Sequence, residues 1–140
     1  MIDFDNQTDL NIDITEIEEI ANFITDKDFE LIVVNNEEIK EINKEYRNID
    51  KATDVLSFPL DVVCEGMPIG SIIISADKVK EGAKYYNHLE LDEFKLLFIH
   101  GLLHLIGYDH EVDKGEMRAK EQEIINKFNL PKSLIVRVEE

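Results

Sequence analysis

The residues best suited to chemistry lie at positions 100–110, which read HGLLHLIGYDH and hold three of the chain's four histidines. On an α-helix, His100 and His104 would project from one face with Cβ atoms about 5–6 Å apart, because they are four residues apart. Gly107 predicts the end of that helix, since glycine adopts the left-handed C-terminal conformation at little cost. The turn would bring His110 back toward the same point. Three imidazoles that leave a fourth position for water are typical of catalytic zinc, so we predict a metal site with these three ligands.

The spacing of these residues equals that of the metzincin peptidase motif, H-E-x-x-H-x-x-G-x-x-H. Gly101 stands where a metzincin has the glutamate that acts as general base. Glycine has no side chain that could accept a proton. The helix therefore offers a set of metal ligands without the peptidase base.

Composition predicts one globular domain over residues 1–140, because 44% of the residues are hydrophobic and the length suits a single core. The chain has no apolar run of membrane-spanning length and no signal-peptide pattern, and its single cysteine cannot form an internal disulfide. These features favour the cytoplasm. The formal net charge of −16 would on average repel a polyanion, so binding to RNA would need a local basic or metal-bearing cleft, or a partner that presents the RNA.

Hydrophobic periodicity predicts an α/β (α+β) domain with about four strands and four or five helices. Thr15 and Glu18 have the spacing of a capping box, and Asn35 and Ser75 are candidate N-caps. The helix that carries the histidines is apolar on most sides, which indicates a buried, central helix. The strands are predicted near 2–4, 29–34, 54–58 and 69–75, the helices near 15–25, 36–46, 76–87, 90–106 and 114–128, and an edge strand or surface segment near 134–138.

Two blocks of the sequence resemble the YbeY family of bacterial endoribonucleases. Residues 100–110 are similar to the family signature H-G-x-L-H-L-x-G-Y-D-H. Tyr46-Arg47 and the TDVLSFP segment at 53–59 are similar to the family's YR and PTDVLSFP segments. The order of the predicted elements also fits, so the resemblance covers most of the chain.

The resemblance implies a zinc-dependent endonuclease for single-stranded RNA, acting in ribosomal RNA maturation at the small-subunit 3′ end and in ribosome quality control. Ribosomes or ribosomal proteins would be its partners, and its fold would be a mixed, mostly parallel sheet flanked by helices. The family's metal ligands carry over to His100, His104 and His110, and its important arginine carries over to Arg47. The metal stays open, because three imidazoles also suit nickel, copper and iron.

This chain departs from the family pattern at two positions. Ala52 replaces the usual proline before Thr-Asp, and Ser71 replaces the usual aspartate after Gly70. If that aspartate takes part in the site, Ser71 weakens the transfer of function.

Other polar residues have competing interpretations. Arg47 could hold two phosphate oxygens in its planar fork, or it could simply be a cation favoured at a helix C-terminus. Asp109 could accept a hydrogen bond from a ligand imidazole, act as a proton acceptor in place of the absent glutamate, or be a plain turn residue. His88 is predicted to be a surface residue at a helix end.

Two other functions remain open at this point. One is a zinc-dependent hydrolase of another class, such as a metallopeptidase, which the metzincin spacing suggests and Gly101 opposes. The other is a non-catalytic ribosome-assembly factor, which the net charge of −16 favours because acidic proteins dock on basic ribosomal proteins.

Overall fold

The computed structural model describes residues 2–60, 68–108 and 115–131. It contains four strands and five helices in these segments, as the periodicity predicts. The elements are β1 (Ile2–Asn6), α1 (Ile14–Ile24), β2 (Phe29–Val34), α2 (Asn36–Arg47), β3 (Val55–Pro59), β4 (Gly70–Ser75), α3 (Ala76–Tyr86), α4 (Glu90–Leu105) and α5 (Glu116–Phe128). Cys64 and the predicted segment at 134–138 lie outside the described residues.

The four strands form one mixed sheet in the order β1-β2-β4-β3. β1 pairs with β2 and β2 with β4 in parallel, whereas β3 runs antiparallel to β4. β3 is an edge strand of this sheet and ends at Pro59, in keeping with the tolerance of sheet edges for proline. The mostly parallel sheet implied by the family resemblance is thus confirmed.

Helices cover both faces of the sheet. Successive side chains of β4 point to opposite sides, so they belong to two different cores. Ile72 and Ile74 belong to the large core that includes α4, and Ile73 belongs to a smaller core with Ile39 of α2. Eleven of the sixteen residues of α4 are buried. The predicted central helix is therefore confirmed, and α2 lies on the face of the sheet opposite to it.

The local signals at helix N-termini are confirmed in two cases and wrong in one. Asn35 accepts a hydrogen bond from the Glu38 backbone at 2.9 Å, and Ser75 caps α3. The predicted capping box at Thr15 is wrong, because Asp13 is the N-cap of α1 and accepts from the Thr15 backbone at 3.1 Å. No helix in the described part of the chain is long and apolar enough to cross a membrane.

Candidate metal centre

The C-terminal end of α4 closes with the left-handed glycine that the sequence predicts. Gly107 has φ +114°, and nothing lies within 4 Å of the position of a Cβ there. The Gly107 and Tyr108 backbone N–H groups donate to the carbonyls of His104 and Leu103, at 3.1 and 3.0 Å. This is the Schellman pattern, and it turns the chain back across the end of the helix.

His100 and His104 lie together at this end of α4, one turn apart. Their Nε2 atoms face each other at 3.1 Å, and their ring centroids are 4.6 Å apart. Two ligands of a tetrahedral zinc ion with Zn–N bonds of 2.0–2.1 Å are separated by about 3.3 Å, so the pair has the spacing that one ion requires. The side chain of His100 is 11% exposed, so most of the imidazole is held by packing.

The third predicted ligand is His110. His110 and Asp109 lie outside the described residues. Among residues 2–60, 68–108 and 115–131, no group of three His, Cys, Asp or Glu side chains is arranged to hold a metal ion. The described structure therefore supplies two converging imidazoles, and the assignment of His110 remains a prediction from the sequence.

Gly101 allows α4 to pack unusually close to the sheet. A Cβ at this position would lie 3.0 Å from methyl groups of Ile72 and Val55 and 3.3 Å from Ser57 Oγ. Ser57 also donates a hydrogen bond from its hydroxyl to the Gly101 carbonyl, at 2.7 Å. The two sequence blocks that resemble the family thus meet here, and any side chain at position 101 would be crowded against the sheet.

Arg47 does not contact the histidine pair. It is the last residue of α2, on the opposite face of the sheet, and its side chain is exposed. Its side chain makes no hydrogen bond or ion pair with the described residues. The neighbouring Tyr46 ring packs against Phe58 of β3 at 5.7 Å, which places Arg47 beside the strand at the sheet edge. Arg47 and the histidine pair therefore belong to helices on opposite faces of the sheet.

Glu121 of α5 is a site residue that the sequence interpretation missed. It is 1% exposed, and its Oε1 lies 3.7 Å from His100 Nδ1, on the side of the ring away from His104. A signal was present, because Glu121 occupies the inward stripe of α5 with Met117, Ile124 and Ile125. A charged residue at such a position is unusual unless it has a partner.

The prediction that His88 is a surface residue is wrong. Its side chain is 11% exposed, and its Nε2 lies 2.7 Å from Oε1 of Glu93, which is 3% exposed. α3 packs closely over the Glu93 side chain, because a Cβ at Gly82 of α3 would meet the Glu93 carboxylate. This packing helps to bury the contact between Glu93 and His88. The pair joins the start of α4 to the turn after α3, apart from the histidines at the other end of the helix.

Ser71, at the position where the family has an aspartate, pairs with a carboxylate on the neighbouring strand. Its hydroxyl donates to Glu30 Oε1 at 2.7 Å, across the register that aligns Glu30 of β2 with Ser71 of β4. An acidic group is thus present beside this position, although it comes from β2 and not from β4.

Comparisons with known proteins match one family over most of the chain. The family model described as Endoribonuclease YbeY matches residues 2–129. Proteins named Endoribonuclease YbeY from Nautilia profundicola and Aliarcobacter butzleri are 63% and 62% identical, covering 100% and 98% of this chain and 100% and 99% of their own. A solution structure of a Thermotoga maritima protein is 30% identical, has a TM-score of 0.61, and is matched over 92% of each chain.

Proposed function

Since the chain belongs to the YbeY family of endoribonucleases, we propose that it is a metal-dependent endoribonuclease that cuts single-stranded RNA during ribosomal RNA processing. The family relation supports the nuclease activity. The observation that carries the metal dependence is the pair of imidazole Nε2 atoms that face each other at 3.1 Å on α4. We assign the same cytoplasmic setting that the composition favours.

His100 and His104 would hold the metal with Nε2, and His110 is the proposed third ligand. A zinc ion there would lower the pKa of a bound water toward about 7 and polarise a phosphoryl oxygen. Because three imidazoles also suit nickel, the identity of the ion is part of the proposal. The position between the two ligands that carries the general base in a metzincin is Gly101, so no proton acceptor is present there.

Arg47 is proposed to bind the phosphate of the RNA. Phosphodiester cleavage increases the negative charge on the non-bridging oxygens, and a guanidinium can hold two of them in one plane. Arg47 is exposed and makes no ion pair in the described structure, so it is available to a phosphate. The strand at the sheet edge separates it from the histidines, which favours an extended single strand over a compact substrate.

The net charge of −16 bears on how the RNA is bound. Such a surface gains little from counterion release along an RNA backbone, so affinity must come from a few local contacts. We therefore propose that ribosomal proteins, which are basic, help to present the RNA. A ribosome-assembly role without catalysis is the alternative that the same charge favours.

A peptidase function is opposed by the packing around Gly101. The metzincin spacing suggests it, but Gly101 offers no general base, and methyl groups 3.0 Å from an added Cβ would crowd any larger side chain at that position. A digestion of casein that is abolished by a chelator and by His104→Ala would restore this alternative.

The test is cleavage of single-stranded ribosomal RNA and of whole ribosomes by protein of measured metal content. His104→Ala should lose both metal and cleavage. Arg47→Ala should keep the metal and lose cleavage by on the order of 100-fold or more, as expected for removal of one group that stabilises transition-state charge. Lys44→Ala is the matched control, because Lys44 is an exposed cation in the last turn of the same helix.

Three outcomes separate the candidate functions. Cleavage by wild type and not by His104→Ala excludes a contaminating nuclease and supports the proposal. Wild type that holds one metal but cuts neither substrate would contradict the nuclease function and favour the assembly role. Undiminished cleavage by Arg47→Ala would remove Arg47 from the mechanism and leave the metal site in place.

A further inference from the structure

We propose that Glu121 is a positioning residue that orients the His100 imidazole for metal binding, by accepting a hydrogen bond from its Nδ1. This inference rests on the metal site of the proposed function. It adds a residue from a different helix, α5, outside both sequence blocks that resemble the family.

The first observation is the isolation of the Glu121 carboxylate from water. The residue is 1% exposed, and neither carboxylate oxygen has a hydrogen-bond partner in the described part of the chain. Removing an ionised carboxylate from water without compensation is among the most costly arrangements in a protein interior. A hydrogen-bond donor that offsets part of this desolvation free energy is therefore expected next to the Glu121 carboxylate.

The second observation is the direction in which the carboxylate lies. Glu121 Oε1 is 3.7 Å from Nδ1 of His100, and the other ring nitrogen of His100 faces His104 at 3.1 Å. The ring therefore has one nitrogen toward the metal position and one toward a carboxylate. An imidazole that binds a metal through Nε2 carries its proton on Nδ1, where a carboxylate acceptor fixes the tautomer and the ring orientation.

The separation of 3.7 Å is longer than a hydrogen bond of about 2.9 Å. Catalytic hydrogen bonds are often long in structures without ligand and tighten when the ligand binds. A cation on Nε2 makes the Nδ1 proton a stronger donor, so we expect this contact to shorten when a metal is bound.

A purely structural role fits the residue less well. Glu121 lies in the inward stripe of α5 beside Ile124 and Ile125, where an apolar side chain would pack without a desolvation cost. Two residues away, Glu123 carries the same charge with its side chain 57% exposed and an ion pair to Lys120 at 3.4 Å. The pair of glutamates therefore provides a test position and a control on one helix.

The experiment compares Glu121→Met and Glu121→Gln with Glu123→Met. Zinc affinity is measured by competition with a chromophoric chelator, and stability is measured by urea unfolding of the metal-free protein. For Glu121→Met we expect zinc affinity to fall about 10- to 100-fold, while the metal-free protein unfolds at the same or a higher urea concentration. Glu121→Gln keeps an acceptor oxygen and should lose less affinity, and Glu123→Met should change neither quantity.

The proposal predicts that Glu121→Met lowers zinc affinity without lowering the stability of the metal-free protein. Unchanged zinc affinity in Glu121→Met would overturn it. Parallel losses of affinity and of metal-free stability in both Glu121 variants would also overturn it, because they would show that the carboxylate only supports packing. Wild-type protein that binds zinc but cuts no RNA would contradict the proposed nuclease function while leaving the role of Glu121 in metal binding intact.

Discussion

Gly101→Ala is the change whose effect the packing of α4 predicts most directly. The added methyl would lie 3.0 Å from methyl groups of both Ile72 and Val55, whereas carbon atoms pack best at about 3.5–4.0 Å. Ile72 is fully buried, so at least one neighbour or the helix itself must move. Overpacking of this kind costs about 1–3 kcal/mol.

The helix propensity of alanine acts in the opposite direction. Replacing glycine in a helix interior gains about 1 kcal/mol. The balance is a loss of about 1 kcal/mol in the free energy of unfolding for Gly101→Ala. Gly101→Val, which adds two further methyl groups, should lose about 3 kcal/mol. Both values are measured by urea unfolding of the metal-free protein, followed by circular dichroism.

A double-mutant cycle with Val55→Ala isolates the contact. This change removes one of the two methyl groups that crowd Gly101, so Gly101→Ala should cost less in the Val55→Ala background, with a coupling of at least about 0.5 kcal/mol. If Gly101→Ala instead stabilises the wild type by the full gain expected for an unhindered helix, close packing does not require glycine at this position. The steric argument against a peptidase base would then fail as well.

Three further predictions follow from other contacts. Ser71→Asp should lower the free energy of unfolding by about 2 kcal/mol, because a charge-assisted hydrogen bond to Glu30 is replaced by repulsion. Adding Glu30→Gln should recover part of this loss, as measured by the same urea titration. If the second substitution recovers none of the loss, the pairing of Ser71 with Glu30 is contradicted. His88→Ala should cost about 2 kcal/mol, since a buried charge-assisted bond to Glu93 is lost; a melting temperature equal to that of wild type would refute this. Removal of metal by a chelator should lower the melting temperature in calorimetry, and added zinc should restore it in a concentration-dependent way, because an ion that binds only the folded state stabilises it.

Local signals in the sequence predicted the helices and their ends well. Asn35, Ser75 and Gly107 each act within a few residues of their own position, through a cap or a left-handed turn. The spacing of His100 and His104 likewise fixes their relative position once the segment is helical. The capping box at Thr15 failed for a local reason, since Asp13 competes for the same helix end.

Long-range contacts could not be predicted in the same way. The partner of His88 is close in sequence, yet its burial depends on how α3 packs against α4. Arg47 was placed correctly at the end of α2, but the face of the sheet that α2 covers depends on the crossover from β2 to the parallel strand β4. Hydrophobic periodicity shows which residues of an element point inward, but it does not show which residues of other elements they contact.

The sequence by itself determined the relative position of His100 and His104 and the end of their helix at Gly107, because both depend on only one or two turns of backbone. The similarity to the YbeY family was also readable from the sequence, and it covers residues 2–129. Only the tertiary structure decided what surrounds His100 and His104. Glu121 lies near His100 because α5 packs against α4, and a side chain at position 101 would be crowded because α4 packs against the sheet. Such contacts join residues that are distant in sequence, so they exist only when the whole core is assembled.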